Sequence, residues 1–479
     1  MARMALACVA LCCSATVYAA AADGVAAAHG PGKDASDVQA GSVGWNLQSL
    51  KAMQAEGSKH LSGLSEAWEL AQRNDPEYRA AVEALRAAQT ERAQGRAGLL
   101  PEVSARYYRG KSRGERKQLD APPALARSDL DFDSDTAYVQ VTQPILNYES
   151  YAEYRRGIAL AEQGEARFQV ERSARVLQLT ETYLNAFLAH EVLRLNELLV
   201  ESLEQEAEAR RAMFEQNEGD RIAYHEVMAR LALAKADVLT ARDAALTAKR
   251  ELEAITGVAF ETLTGPGESF EPTLPVPASL SQWLERANAR NPQLLLALAQ
   301  QRVAEVDIKR AQAQHLPQLD FVANWTHANS ENLSTLSQKY DTYQFGLSLS
   351  IPIFSGGYTT AVNARARDIL RQRSNEAAAE RERASVEVTR NYTGVVTGVD
   401  RIRALMASQE SSELAVQAAR EGYRHGANSN LDVLKQQDQL HRVRITLAQA
   451  RVQYLLSLVS LWVAAGEPVD ELFSSILFR

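Results

Sequence analysis

The chain has 479 residues, 46% hydrophobic and 23% charged, with a formal net charge of −8. A nucleic-acid-binding protein usually carries a basic surplus, so this composition argues against a nucleic-acid partner. The length alone allows about three domains.

The first residues have the features of an export signal. Arg3 precedes an apolar stretch, residues 4–17, which is followed by small residues around Ala19. This pattern predicts a signal peptide over residues 1–22, although a buried N-terminal helix is the alternative. All three cysteines lie inside it, so the mature chain has no disulfide and no thiol nucleophile. Residues 23–60 are small and polar and are expected to form a flexible leader.

The remainder of the chain is an internal duplication. Asn74-Asp75-Pro76 returns as Arg290-Asn291-Pro292, 216 residues later, and the segment 139–144 returns as 347–352, 208 residues later. The period is far longer than a solenoid unit, so a large module is duplicated. We expect a first repeat at 61–257, a proline-containing linker at 258–280, a second repeat at 281–466 and a tail at 467–479.

Each repeat is predicted to contain a helix, two strands, a very long helix and a shorter helix. The predicted strands are 102–113 and 136–144 in the first repeat, and 318–327 and 342–352 in the second. In the last strand Tyr343, Phe345 and Leu347 alternate with small or polar residues, which is typical of a strand between lipid and water. Two hairpins packed on a soluble core remain the alternative on periodicity alone.

The strands offer a way to cross a membrane. After the signal no window has eighteen uninterrupted apolar residues, so we expect no transmembrane helix, and a closed β-barrel is the remaining route. Four strands cannot close a barrel, because the smallest transmembrane barrels use about eight. Two copies would supply enough strands for a filled barrel, and three copies would leave room for a lumen.

The long helices are predicted at 150–216 and 358–425, and the shorter ones at 221–256 and 429–465. At about 1.5 Å per residue, each long helix would reach about 100 Å and need partners along its sides. The last helix carries two apolar rows on different faces, which favours a ring of helices, although an ordinary bundle core is the alternative. The rows are Val433, Leu440, Leu447, Tyr454 and Leu461, and Ile445, Val452 and Val459.

Enzymatic motifs are incomplete in this sequence. His190-Glu191 begins like a zinc-protease helix, but Arg194 stands where the second histidine is required. The glycines of 355–357 lack the following lysine of a phosphate loop and indicate a strand-to-helix bend instead. We therefore expect neither catalysis nor a cofactor nor a metal.

Several motifs in a fixed order resemble the TolC family of outer-membrane channel proteins. They are the Asn-Asp-Pro and Asn-Pro helix starts at 74–76 and 291–292, the Leu-Pro segments at 99–103 and 316–319, the Ile-Pro-Ile-Phe-Ser-Gly-Gly segment at 351–357, and the segment 422–434. The likeness covers residues 61–467.

The resemblance implies an α+β membrane protein in the outer membrane that extends into the periplasm. Three identical chains would form one twelve-stranded β-barrel among the membrane lipids, continued by a long α-helical barrel. Its partners would be a periplasmic adaptor and an inner-membrane transporter, either an ABC transporter or a proton-driven pump. The absence of a lipid-attachment cysteine favours type I secretion of a protein. The duct of a multidrug efflux pump is the alternative, and a periplasmic helical rod is the alternative of another class.

The resemblance also implies a gate where the helix pairs turn at the periplasmic end. Tyr423 and Asp432 match the family's gating tyrosine and first aspartate, whereas Asn428 replaces an arginine and Lys435 replaces the second aspartate. Ala223 stands at the position of the partner aspartate, with Asp220 and Glu226 nearby. Carboxylates at a narrow pore attract cations, and Lys435 would offset Asp432 one turn away, so we predict a weak cation-selective ring.

Overall fold

The computed structural model of the chain describes residues 59–117, 127–215, 221–267, 270–330 and 338–475. The predicted signal peptide at 1–22, the leader up to residue 58, Asp220 and the last four residues of the tail lie outside these ranges.

The elements occur in the same order twice. The first series is β1 (Lys59–Leu61), α1 (Leu64–Asn74), α2 (Pro76–Ala97), β2 (Glu102–Lys117), β3 (Arg127–Leu146), α3 (Tyr148–Glu215) and α4 (Arg221–Thr256). The second is β4 (Phe260–Leu263), α5 (Leu280–Arg290), α6 (Pro292–Ala313), β5 (Gln318–Ser330), β6 (Gln338–Ser350), α7 (Tyr358–Arg424) and α8 (Asn430–Ala465). A last helix, α9 (Val469–Ser475), lies in the predicted tail.

The duplicated Asn-Pro motifs connect helix ends by different side chains in the two repeats. In the first, the Asp75 carboxylate caps α2 by accepting from the Glu77 N–H at 3.0 Å, and Asn74 donates to the Thr256 carbonyl at 2.8 Å. In the second, Asn291 alone performs both roles, because an amide can accept and donate. It accepts from the Leu294 N–H at 2.9 Å and donates to the Ala464 carbonyl at 2.8 Å.

Four strands form one antiparallel sheet in the order β2-β3-β5-β6. The repeats meet at the centre of this sheet, where β3 pairs with β5, and the outer edges of β2 and β6 have no partner strand within the described residues. The register aligns the apolar positions of all four strands on one face. That face contains Val103, Ala105, Tyr107, Ala137, Val139, Val141, Leu319, Phe321, Ala323, Trp325, Tyr343, Phe345, Leu347 and Leu349.

The strands are longer than the sequence pattern predicted. β2 continues to Lys117 and β3 begins at Arg127, whereas the predictions ended at 113 and began at 136. β5 and β6 likewise extend to Ser330 and start at Gln338. Charged side chains pair across the first extension, with Lys111 Nζ 3.0 Å from an Asp131 carboxylate oxygen. Alternation of apolar and polar residues ends before this ladder, so periodicity could not detect it.

The helices pack into long antiparallel rods beneath the sheet. α3 and α7 contain 68 and 67 residues, and they begin and end within two residues of their predicted bounds. α8 begins at Asn430, one residue later than expected, because Ser429 is its N-cap. The main hydrophobic core joins α1, α3, α5, α7 and α8, and its largest fully buried side chains include Trp283, Tyr183 and Tyr454.

Among the described helices, one has the length and composition to cross a membrane. This is α8, but 61% of its most apolar window is buried inside the protein. The search for an uninterrupted apolar run predicts no such helix, because serines interrupt the run in that window. Its burial against α3, α5 and α7 assigns it to the protein core.

The proline-containing linker at 258–280 contains regular secondary structure. β4 lies within it and pairs in parallel with β1, so residues 59 and 60, which were predicted to end the flexible leader, belong to the folded body. Two tyrosines 209 residues apart hold the linker to the rods: the Tyr183 hydroxyl donates to the Thr264 carbonyl and the Tyr392 hydroxyl to the Ala278 carbonyl, both at 2.6 Å. Burial raises the pKa of the Tyr183 phenol, so it remains a donor. Both strands of this pair are too short to show a hydrophobic period.

Candidate functional site

The candidate gate lies at the end of the rods farthest from the sheet, where α7 turns into α8. Gly426 has a φ of 75°, a conformation that glycine adopts without strain. The Gly422 carbonyl accepts from the backbone N–H groups of Ala427 at 2.7 Å and Asn428 at 3.2 Å. The turn is therefore closed by backbone hydrogen bonds, and the Asn428 side chain is half-buried against α7.

Asp432 is engaged at the start of α8. The Ser429 side chain accepts from the Asp432 N–H at 3.2 Å, while the Asp432 carboxylate accepts from the Ser429 hydroxyl at 2.6 Å and its N–H at 3.1 Å. This reciprocal arrangement is a capping box. The hydrogen bonds from Ser429 hold the pKa of Asp432 below its ordinary value, and the positive charge of Lys435 contributes less. Asp432 is thus ionised and committed to its own helix.

A second cluster connects three helices behind the turn. It consists of Glu206, Arg210, Tyr423 and Gln437, and we refer to it as the Arg210 cluster. The guanidinium of Arg210 lies over the Tyr423 ring, 3.9 Å from the ring centroid, and donates to Glu206 at 3.0 Å. The Gln437 amide donates to the other carboxylate oxygen of Glu206 at 3.2 Å. The cluster therefore joins α3 to both helices of the second turn.

The ion pair of the Arg210 cluster is shielded from solvent. The Arg210 and Glu206 side chains are 10% and 12% exposed. A charged pair with so little exposure is costly to break, because removal of one partner leaves the other charge buried and uncompensated. The ion pair lies within α3, and it is the Arg210–Tyr423 and Gln437–Glu206 contacts that connect this helix to the second turn.

Asn430 connects the start of α8 to the start of α4. Its buried amide donates to the Ala223 carbonyl and to a Glu226 carboxylate oxygen, each at 3.4 Å. Further along the same helices, the Arg230 guanidinium pairs with Asp438, with Nε 2.9 Å from the carboxylate. These contacts connect the start of α4 to the start of α8.

The predicted gate residues share one end of the rods but have different partners. Tyr423 contacts Arg210, Asp432 contacts Ser429, Glu226 contacts Asn430, and Lys435 is exposed. Asp220 lies outside the described residues. Four further residues at this end were not predicted from the sequence: Arg210, Glu206, Asn430 and Gln437. The spacing of Glu206 and Arg210 predicts a local ion pair, but no sequence signal connects them to Tyr423 more than two hundred residues later.

The described ranges contain no group of three or more histidine, cysteine, aspartate or glutamate side chains placed to hold a metal ion. In the incomplete zinc motif, Arg194 instead pairs with Glu191 at 2.6 Å.

The chain matches the family described as Outer membrane efflux protein over residues 67–258 and 283–467, one segment in each repeat. The chain belongs to this family. Alkaline protease secretion protein AprF of Pseudomonas aeruginosa is 31% identical over 407 residues, which cover 84% of each chain. Proteases secretion protein PrtF of Dickeya chrysanthemi is 29% identical over 414 residues, covering 86% of this chain and 89% of PrtF.

Solved channels of the family share the fold. The CmeC outer membrane channel of Campylobacter jejuni superposes with a TM-score of 0.71, at 16% identity, over 92% of this chain and 94% of CmeC. The fold class is that of the trimeric TolC-like channels: an α+β membrane protein with a β-barrel to which each chain gives four strands, a long helical barrel and an internal duplication. The resemblance inferred from the motifs is confirmed.

Membership of the family decides several further expectations. The protein is an outer-membrane channel that extends into the periplasm, and it is not an enzyme. The apolar face of the sheet has the residue pattern of a lipid-facing barrel surface. Channels of this family form trimers and work with periplasmic adaptors and inner-membrane transporters. The periplasmic structural rod is thereby excluded.

Proposed function

We propose that this channel is the outer-membrane duct of a type I secretion system that exports a protein, received from an ABC transporter through a periplasmic adaptor. The similarity to AprF and PrtF over most of the chain carries this proposal, since both of those proteins are named for protease secretion. The exported protein would therefore belong to the class of secreted proteases or to proteins exported in the same way.

Three copies of this chain would form the duct. Among the described residues the outer edges of β2 and β6 have no partner strand, and they require neighbours because an unpaired edge exposes a row of backbone donors and acceptors. Lipid tails cannot form hydrogen bonds with these groups, and the core of the bilayer contains no water. Closure of the barrel is therefore needed for insertion.

The periplasmic turn would serve as the gate. Tyr423, Asn428, Asp432, Lys435, Glu226 and Asp220 would surround it, and the Arg210 cluster would hold the second turn against α3. A protein substrate needs a passage far wider than a hydrated ion, so opening would require release of the contacts that connect α3 to the second turn.

The proposal is tested in a host that lacks its own channel of this family. The host receives the transporter and adaptor of a protease-secretion system, the protease, and this chain. We expect protease in the medium only when this chain is present. Protease that stays in the cells, in a host whose outer membrane contains the channel, contradicts the proposal.

The duct of an efflux pump is the second candidate, favoured by the description of the matched family. The same host, given a proton-driven pump and its adaptor, distinguishes the two. Restored resistance to small toxic molecules without protease secretion would establish efflux instead.

A further inference from the structure

The outer strands of the sheet, β2 and β6, would pair between neighbouring chains, and the register of that pairing can be inferred. Within the described residues β2 pairs only with β3, and β6 pairs only with β5. The apolar side chains of β6 are widely exposed, with Tyr343 76% and Phe345 81% accessible. An edge of this length needs a strand beside it, and in a trimer that strand is β2 of a neighbouring copy.

The duplication relates the two hairpins of one chain quantitatively. Residues of β5 correspond to residues of β2 that lie 216 positions earlier, and residues of β6 correspond to residues of β3 that lie 208 positions earlier. The pair Trp325–Tyr343 of the second hairpin thus corresponds to Arg109–Asp135, and these two residues are paired in the first hairpin. The correspondence holds equally at the other end, where Gln318–Ser350 corresponds to Glu102–Thr142. Strand register has therefore been preserved in both repeats.

The same correspondence predicts the pairing between neighbouring chains from the β3–β5 pairing inside one chain. β3 pairs with β5 from Ser134–Ser330 to Leu146–Leu319. The equivalent of β3 in the second repeat is β6. The equivalent of β5 in the first repeat is β2, which here belongs to a neighbouring copy of the chain. Thr136–Ala328 becomes Gln344–Ser112, and Ser134–Ser330 becomes Thr342–Gly114.

We infer that β6 of one protomer pairs antiparallel with β2 of the next in this register, with Gln344 opposite Ser112 and Thr342 opposite Gly114. The inference rests on the proposed trimer and goes beyond it by fixing which residues meet. A strand slipped by one residue would turn the apolar face toward the lumen, so register matters to the whole barrel.

Side-chain chemistry along the inferred junction is complementary. On the lipid-facing side the register places Tyr343 opposite Arg113 and Phe345 opposite Lys111. Aromatic rings bind such cations over their faces, which gives the exposed rings of β6 a partner. Toward the helical end it places Ile351 opposite Ala105, and an irregularity between Pro144 and Leu146 in the template places Phe354 opposite Val103. Phe354 is 88% exposed in the single chain, so this contact would cover an otherwise unprotected ring.

The register can be measured by disulfide trapping because the mature chain has no cysteine of its own. Four double variants of the full chain combine Gln344→Cys or Thr342→Cys with Ser112→Cys or Gly114→Cys. All four positions are exposed, and a Cβ at Gly114 would meet nothing within 4 Å. Within one chain two strands separate β6 from β2, roughly 14 Å at the usual strand spacing. A disulfide requires Cα atoms closer than about 7 Å, so only neighbouring chains can be linked.

We expect covalent trimers on non-reducing gels for the pairs Gln344→Cys with Ser112→Cys and Thr342→Cys with Gly114→Cys. The two crossed combinations should remain largely unlinked. Because the four variants share the same substitutions, a folding defect at one site affects a matched and a crossed pair equally. Outer-membrane fractionation of each variant verifies insertion.

Two results overturn the inference in different ways. Stronger linkage in the crossed pairs would show a different register while leaving the trimer intact. Monomeric protein in native gels of the unmodified channel would remove the trimer itself, and with it the proposed duct.

Discussion

The guanidinium carbon of Arg210 lies 3.9 Å from the centroid of the Tyr423 ring, which connects α3 to the last turn of α7. Replacement of Arg210 by alanine would leave Glu206 buried without its charged partner. Loss of one member of a buried pair costs about 3–5 kcal/mol. We expect the Arg210→Ala channel to open much more often, measured as conductance in planar bilayers.

The adjacent Arg211 supplies the matched control. Its guanidinium pairs with Glu215 at 2.8 Å, and both side chains are well exposed. Arg211→Ala should therefore leave conductance close to that of the unmodified channel. Equal conductance of the two variants would show that the Arg210 cluster does not restrain the turn.

Divalent cations should block this channel only weakly from the periplasmic side. The Asp432 carboxylate is engaged by Ser429, and Lys435 lies one turn away with the opposite charge. Lys435→Asp would replace that charge with a second acid in each chain. We expect the concentration of Mg²⁺ for half-block to fall by about tenfold, equivalent to about 1.4 kcal/mol.

The control for this charge change is Lys435→Gln, which removes the positive charge without adding an acid. It should give an intermediate block. Strong block of the unmodified channel by Mg²⁺ would contradict the predicted weakness of the Asp432 ring.

Acid should weaken the cap of α8. The folded-state pKa of Asp432 is below its ordinary value of 3.8, so the stabilisation is complete above that value. It is lost as the pH falls through the lower folded-state pKa, when the carboxyl is protonated and ceases to accept from Ser429. Ser429→Ala should move the pH of this transition up toward the ordinary pKa of an aspartate. The transition is measured as the opening of the channel during a pH titration.

Ser411→Ala is the comparison for that titration. The Ser411 hydroxyl donates within α7 to the Ala407 carbonyl at 2.9 Å and has no part in the cap. Its variant should keep the acid transition of the unmodified channel. If Ser429→Ala leaves the transition unmoved, the capping box does not set the pKa of Asp432.

Helices α2 and α3 approach closely at Gly157. A Cβ at this position would lie 2.4 Å from the Glu91 carbonyl oxygen, which is backbone and cannot move aside without shifting α2. Gly157→Ala should destabilise the channel by about 1–3 kcal/mol through overpacking. Thermal unfolding in detergent measures this, with Gly98→Ala as the control.

Gly98 is a suitable control because its added Cβ would meet nothing closer than 3.8 Å and its backbone is right-handed helical. That variant should unfold near the temperature of the unmodified protein. Equal melting temperatures for both variants would show that α2 can shift away from α3 without loss of stability.

Sequence patterns revealed the fold where one physical signal repeats over many residues. Leu347 and Leu349 alternate with serines, and this alternation located β6. The ladder of Lys111 and Asp131 carries no such alternation, so the extension of the hairpin was missed. The strand pair β1–β4 joins segments about two hundred residues apart through only a few residues each, too few for any period.

At the candidate gate, too, some residues could be predicted from the sequence and others could not. Family motifs identified Tyr423 and Asp432, which lie at a helix turn that glycine marks in the sequence. The partners of Tyr423 depend on how α3 packs against α7, and packing between distant segments has no local sequence signature. Asp432 was expected to face a pore, and its capping role was visible only as the Ser429 spacing.

The apolar positions of β2 end at Tyr107, but the strand continues for ten further residues to Lys117. The opposite end of the sheet leads into the helices, so this charged extension projects away from the cell body. Soluble molecules outside an intact cell would therefore meet this charged hairpin before they meet the helical part of the channel.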